Sequence, residues 1–234
     1  MKISVVICVV SVFFWVSCSQ AGFEKTNDGI IVHVPKSEIS PAHVVRLKII
    51  TDQIIRVSAI PSGSFTERKS LVVVDQLPPV PAFTISQAGD SIELVTSKIK
   101  AIVSIQTGAV RFADLQGKTL LAEKQGGGKS FQPVSVDNTT ALTFRQVFQS
   151  PADEAFYGLG QHQSDEWNYK NKNEVLYQYN TKVSVPFLVS NKHYGLFWDN
   201  YSLTKFGDVR DYSQLSDLKL TDKSGKEGGL TATY

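Results

Sequence analysis

Residues 44–60 read VVRLKIITDQIIRVSAI, and apolar side chains fall on every second position: Val45, Leu47 and Ile49, then Ile55, Val57 and Ala59, set against Arg46, Lys48, Arg56 and Ser58. A helix repeats its apolar stripe every three or four residues, so a period of two belongs to a pleated strand with one face buried. Thr51, Asp52 and Gln53 interrupt the run as a turn, which predicts two antiparallel strands. The device recurs. Residues 91–94, 99–105 and 109–114 are short β-branched runs separated by Thr96, Ser97 and Lys98 and by Gln106, Thr107 and Gly108, and a turn at 115–118 precedes Thr119, Leu120 and Leu121. Pro78, Pro79 and Pro81 mark a loop or sheet edge, since proline cannot donate to a ladder. Residues 142–148 alternate again, residues 183–189 form an apolar run with Pro186 at an edge or bulge, and residues 194–198 follow. Helix signals are scarce. The fold expected is all-β, a large antiparallel β-sandwich.

Residues 1–17 carry one Lys2 ahead of an apolar stretch too short to span a bilayer, and read as an export signal. Two processing sites are open to it. Small residues before Cys18 resemble a bacterial lipoprotein site, with Cys18 as the lipidated N-terminus, and Ser19, Gln20 and Ala21 offer an ordinary cleavage site. Lipidation at Cys18 is the expectation, and with it an exported protein, periplasmic or anchored by lipid to a bacterial outer membrane. Both cysteines, Cys8 and Cys18, lie in this segment, so the body from residue 22 has neither disulfide nor thiolate metal site. A body of that length buries enough apolar area without staples. The organisation expected is an export signal at 1–21, one β-sandwich domain at 22–220, and a polar linker at 221–234 toward a further domain.

With 24 basic and 22 acidic residues interspersed, the chain offers no basic stripe for a phosphate backbone, so nucleic acid is not an expected partner. The stretch GGGKS at 126–130 lacks the earlier glycine of a phosphate loop, because Glu123 stands there, and a strand-like FQPVSV follows. It reads as a flexible hairpin loop. The stretch AFYGLGQHQ at 155–163 lacks the third glycine of a dinucleotide fingerprint, since Gln163 occupies that place. His33, His43, His162 and His193 are scattered singly, so neither a metal nor a cofactor is expected. What remains is a cluster of aromatics from Tyr157 to Tyr201, including Trp167, Tyr169, Tyr177, Tyr179 and Trp198, amid Gln161, Asn168, Asn180, Asp199 and Asn200. Sugars stack their C–H faces on rings and match their hydroxyls to amides and carboxylates. Strands of an ordinary β core carry the same aromatics, so composition leaves both readings open.

The succession ALTFRQVFQSPADEAFYGLGQHQ, then NEVLYQYNTKVSVPFLVSNKHYGLFWDN, resembles the N-terminal domain of glycoside hydrolase family 31, which holds α-glucosidases and α-xylosidases. HVVRLKIITDQIIRVSAIP and TGAVRFADLQGKTLL are similar to earlier strands of that domain, so the resemblance spans nearly the whole body. It implies a galactose mutarotase-like β-sandwich set against a (β/α)8 barrel that carries two catalytic aspartates and acts on an oligosaccharide or plant polysaccharide. The family commonly has Glu where this chain has Gln161, and the polar 161–163 stretch looks like the branch of bacterial α-xylosidases. Retaining hydrolysis needs two carboxylates roughly 5 Å apart on a rigid scaffold. None of Asp165, Glu166, Asp199, Asp208 or Asp211 stands in such a motif, so no catalytic residue is assigned. The family's N-terminal domain lends a loop to the rim of the barrel's pocket, and by position this is the loop after YGLFW. Asp199, Asn200 and Tyr201 are therefore the candidate sugar contacts, with Gln161 and His162 behind them. Gly158 and Gly160 are expected to make a tight turn that aims this polar stretch.

Two other classes fit the residues. A free-standing carbohydrate-binding module would use the aromatic and amide cluster directly. A mutarotase-like epimerase would need a histidine and a carboxylate converging in one cleft.

Overall fold

The computed structural model describes residues 22–35, 42–66, 69–74, 76–136 and 138–207, together with the backbone of 218–221 and 227–230. The export signal with Cys18, and Asp208 and Asp211, lie outside the described residues. Every regular element among the described residues is a strand, and every pairing is antiparallel. The all-β expectation holds.

The first layer is a four-stranded sheet in sequence order, β1 (Gly22–Thr26), β2 (Gly29–His33), β3 (Val44–Ile49) and β4 (Ile55–Ile60). The alternation of residues 44–60 sets its register, since Val45 pairs Ala59, Leu47 pairs Val57 and Ile49 pairs Ile55. The second is a five-stranded meander, β5 (Thr84–Ala88), β6 (Ser91–Val95), β7 (Lys100–Ser104), β8 (Val110–Ala113) and β9 (Thr119–Ala122). Ile30, Val32, Val45, Leu47 and Ile49 of the first sheet meet Ile92, Leu94, Val103 and Val110 of the second, all essentially without exposure. Each such side chain gains about 1.5–3 kcal/mol on leaving water. These two faces are the sandwich's main core.

A ribbon, β10 (Lys129–Val136) with β11 (Thr139–Gln146), follows. It starts at the glycine stretch, where the Gly127 N–H donates to the Lys124 carbonyl and the Gly128 carbonyl accepts from Val147 N–H. Lys129 is buried and ion-paired with buried Glu123. The Glu123 carboxylate also accepts from Val110 N–H at 3.1 Å, and the ammonium donates to the Gly108 carbonyl at 2.9 Å. Burial dominates both groups, raising the carboxyl and lowering the ammonium from their ordinary ranges. The turn is thus held at its base by a desolvated charge pair, which an expectation of a flexible hairpin loop does not include.

The last third builds a second, smaller core. β12 (Phe156–Gln161), β13 (Glu174–Leu176), β14 (Val183–Ser190), β15 (Tyr194–Phe197) and β16 (Thr204–Phe206) form a three-stranded sheet in the order β12-β14-β15 and a pair β13-β16. Leu159, Tyr169, Leu176 and Leu188 are buried between them, with Phe156, Tyr194, Leu196 and Phe206 packed around. Phe156 and Tyr169 each meet the Phe206 ring edge-on. Across the expected boundary between sandwich and linker at residue 221, β17 (Leu218–Thr221) pairs with β18 (Glu227–Leu230) as a two-stranded unit.

Candidate functional site

Two polar stretches leave the three-stranded sheet at one end. Gln161, the last residue of β12, pairs with Val183 at the start of β14, and Trp198, just past β15, donates its N–H to the Pro186 carbonyl at 2.8 Å. Since β12 and β15 flank β14, Gln161 and the 198–201 loop emerge on either side of its first residues.

The GLG stretch makes this geometry. Gly158, Leu159 and Gly160 all have positive φ, at 114°, 65° and 102°. The pairing slips there, from Gly158 opposite Leu188 to Gly160 opposite Ser184, so β14 bulges across residues 185–187. Either side of the bulge the odd positions of β12 face outward, as Tyr157 and Gln161 do. Leu159 is also odd, yet the kink turns it inward, 2% exposed, into the second core. Only glycine serves at 158 and 160, because an added Cβ would lie 2.6 Å from the Phe187 oxygen and 2.0 Å from the Val183 oxygen.

Residue 162 has the opposite parity to 161 and turns inward. His162 is 2% exposed at its side chain, its Nε2 hydrogen-bonds the Leu159 carbonyl at 2.8 Å, and its ring meets Tyr169 edge-on. The expectation places His162 behind the loop as a sugar contact; in the structure its side chain is enclosed, and what it touches is the kink. Its Nδ1 lies 3.5 Å from Glu174 Oε1, but Lys182 already pairs with that oxygen. A histidine and a carboxylate do converge, as an epimerase would require, but inside the core and with the carboxylate engaged by an ammonium. Their side chains are 2% and 15% exposed.

Asp199 is a structural latch. Its carboxylate takes Arg56 Nη2 at 2.8 Å, the Ser70 hydroxyl at 3.0 Å and the Tyr201 hydroxyl at 2.7 Å, and only 16% of its side chain is exposed. The Tyr201 oxygen is in turn 2.8 Å from Ser70 Oγ and accepts the Leu71 N–H at 2.5 Å. Three donors within the protein thus engage the Asp199 carboxylate, two on Oδ1 and one on Oδ2. Tyr201 keeps its ring half exposed while its hydroxyl is pinned, and Asn200 is exposed, its side-chain carbonyl accepting from Ser202 N–H at 2.7 Å in an Asx turn. Phe131, Phe144 and Trp198 stack in series, with centroids 4.9 and 5.2 Å apart, so the loop's first residue is clamped to the β10–β11 ribbon.

Arg56 and Ser70, remote in sequence, complete a site that local pattern did not reveal. Trp167, 87% exposed, is a further ring the candidate set did not single out. Of the carboxylates weighed for catalysis, Glu166 pairs with Lys172 at 2.7 Å and Asp165 is exposed. The arrangement offers a rigid polar and aromatic rim, with no acid pair at its centre among the described residues.

Two packed sheets of antiparallel strands, a smaller three-stranded sheet, and a loop pinned at its end define an all-β domain of galactose mutarotase-like architecture. The chain belongs to the family described as the glycosyl hydrolase 31 N-terminal galactose mutarotase-like domain, whose profile matches residues 44–206. It is 30% identical over 192 residues to an alpha-xylosidase of Saccharolobus solfataricus, covering 78% of this chain and 25% of that protein. It is 24% identical to an isomaltosyltransferase of Sporosarcina globispora, covering 78% of this chain and 17% of that protein. Among solved structures, the GH31 alpha-xylosidase from Xanthomonas citri matches with a TM-score of 0.73 and 42% identity, over 87% of this chain and 22% of that one. A GH31 dextranase of Flavobacterium johnsoniae shares the fold, with a TM-score of 0.61 at 19% identity over 80% of this chain and 23% of that one. The chain thus spans about a quarter or less of these relatives.

Proposed function

We propose that this chain is the non-catalytic N-terminal domain of an exported retaining α-glycosidase of α-xylosidase or α-glucosidase type, acting in the breakdown of an oligosaccharide or plant polysaccharide. The supporting observation is the 42% identity to the Xanthomonas citri alpha-xylosidase across 87% of this chain. In this reading the domain braces a catalytic (β/α)8 barrel and shapes substrate entry. Asn200 and the Tyr201 ring, held by the Asp199 latch, meet the sugar, with Gln161 across the sheet end. No metal or cofactor enters. The enzyme is carried out of the cytoplasm by residues 1–21 and held by a lipid on Cys18, which palmitate labelling lost in Cys18→Ala tests.

The 234-residue chain is expected to release no sugar from aryl α-xylosides or α-glucosides and to bind xyloglucan oligosaccharides weakly or not at all. Hydrolysis by the chain alone overturns the reading. Micromolar oligosaccharide binding abolished by Trp198→Ala or Trp167→Ala installs the free-standing binding module instead, a reading favoured by the exposure of Trp167.

A further inference from the structure

The three-stranded sheet β12-β14-β15 has two apolar faces, and only one is covered. Leu159, Leu188 and Leu196 point into the second core. On the opposite face Tyr157, Val183, Val185, Phe187, Val189 and Phe197 stand between 41% and 46% exposed. Register makes them one patch, because Tyr157 is opposite Val189, Phe187 is opposite Phe197, and Val183 and Val185 continue along β14. The Phe187 ring lies over Gly195, where an added Cβ would meet it at 2.9 Å, so aromatic surface extends across the strand. Exposures of this size leave on the order of 500 Å² of apolar surface open, in the range that marks an interaction site.

The composition of the face says what kind of partner it meets. The six, eight and four residues of the three strands, FYGLGQ, VSVPFLVS and YGLF, include no charged side chain, in a chain that is 20% charged. The buried core of an interface is depleted in charged residues, and its rim carries the polar ones. Charge depletion of this degree belongs to permanent interfaces. Sugar recognition would instead call for amides, and Gln161 at the sheet end is the one amide side chain among these residues.

We infer that this face is the seat of a domain of the same polypeptide: the part that makes up three quarters or more of the length of the relatives, which hold this domain tethered to it. The inference rests on the function proposed above and specifies the surface through which this domain braces its neighbour. A tethered neighbour sits at high effective concentration, which suits a face with no means of its own to stay soluble. Gln161 and the 198–201 loop border this patch at the β14 start, so docking here brings the rim to the neighbour's edge.

Because the only cysteines, Cys8 and Cys18, precede the body, single thiols introduced into a Cys8→Ser, Cys18→Ser background report the face directly. Val189→Cys and, as a second and independent variant, Val185→Cys are compared with Ser86→Cys on exposed β5, in the 234-residue chain and in the full-length polypeptide encoded by the same gene. Maleimide labelling of both face thiols is expected to be at least tenfold slower in the full-length protein, with Ser86→Cys labelled equally in the two. Equal rates at positions 185 and 189 in an active full-length enzyme overturn the docking face while leaving the domain assignment standing. Protection already present in the 234-residue chain, with a doubled mass by light scattering, assigns the face to a second copy and overturns the inference. A coding sequence that stops at Tyr234 removes the occupant and the proposed function together.

Discussion

Gly160→Ala tests the physical account of the GLG kink. At φ of 102° an L-residue is strained by roughly 1–3 kcal/mol. The new Cβ would also sit 2.0 Å from the Val183 oxygen and 2.8 Å from the Val185 nitrogen, both backbone atoms that cannot rotate away. Relief requires the Gly160–Ser184 pairing to open, at about 1 kcal/mol for each ladder bond lost. The sum is about 4 kcal/mol, a large share of the roughly 5–15 kcal/mol that holds a domain together. With a urea slope of about 2–3 kcal/mol/M, the midpoint falls by about 1.5 M. Trp198, stacked on Phe144, supplies the fluorescence signal. Two neighbours calibrate the series. Gly158→Ala, with 2.6 Å to the Phe187 oxygen, is expected to cost somewhat less. Gly195→Ala meets only the movable end of the Phe187 ring and costs about 1 kcal/mol. A Gly160→Ala midpoint within about 0.3 M of the wild type, or a Gly195→Ala protein less stable than Gly160→Ala, would refute the steric argument.

Leu188→Ala, at a site 6% exposed in the second core, is expected to lose about 3 kcal/mol in the same urea experiment. Lys129→Met strands the buried Glu123 charge and should cost about 3–5 kcal/mol, and adding Glu123→Gln should recover at least half, since the amide oxygen still accepts from Val110. Asp28 is desolvated, which works to raise its pKa, but the hydrogen bond from Lys48, that from Thr26 and the Lys48 charge together outweigh this and lower it. Its contribution is therefore complete above the ordinary carboxylate range and lost as pH falls through the lowered value, so Asp28→Asn should flatten the acid limb of a stability-against-pH curve.

Much of the main sandwich was legible because its strands obey a strict period. Residues 44–60 state their faces, their turn and their pairing, and β3 and β4 each stop one residue short of that turn. The three-stranded sheet β12-β14-β15 was legible as strands but not as a site. Gly158 and Gly160 announce a turn, whereas the inward rotation of Leu159 depends on β14 bulging opposite, which no local pattern encodes. His162 could have been placed from Gln161, since neighbours on a strand face opposite ways. Asp199 could not, because the partners that occupy its carboxylate, Arg56 and Ser70, come from 143 and 129 residues earlier. Polar residues near an aromatic run look alike on the page whether they face a ligand or a distant arginine. Lys129 was hidden for a related reason, since glycines around it imply exposure and only the packing of β8 and β9 reveals burial.

The latch between Asp199 and Arg56 also orders events in time. Contacts so remote along the chain close late, after the segments between them have found their own partners, because the entropy of bringing the ends together is met only once those segments are compact. On a chain emerging from the ribosome, β4 is finished long before residue 199 appears. Asp199 follows Arg56 by 143 residues, so the latch cannot close until most of this domain has been made.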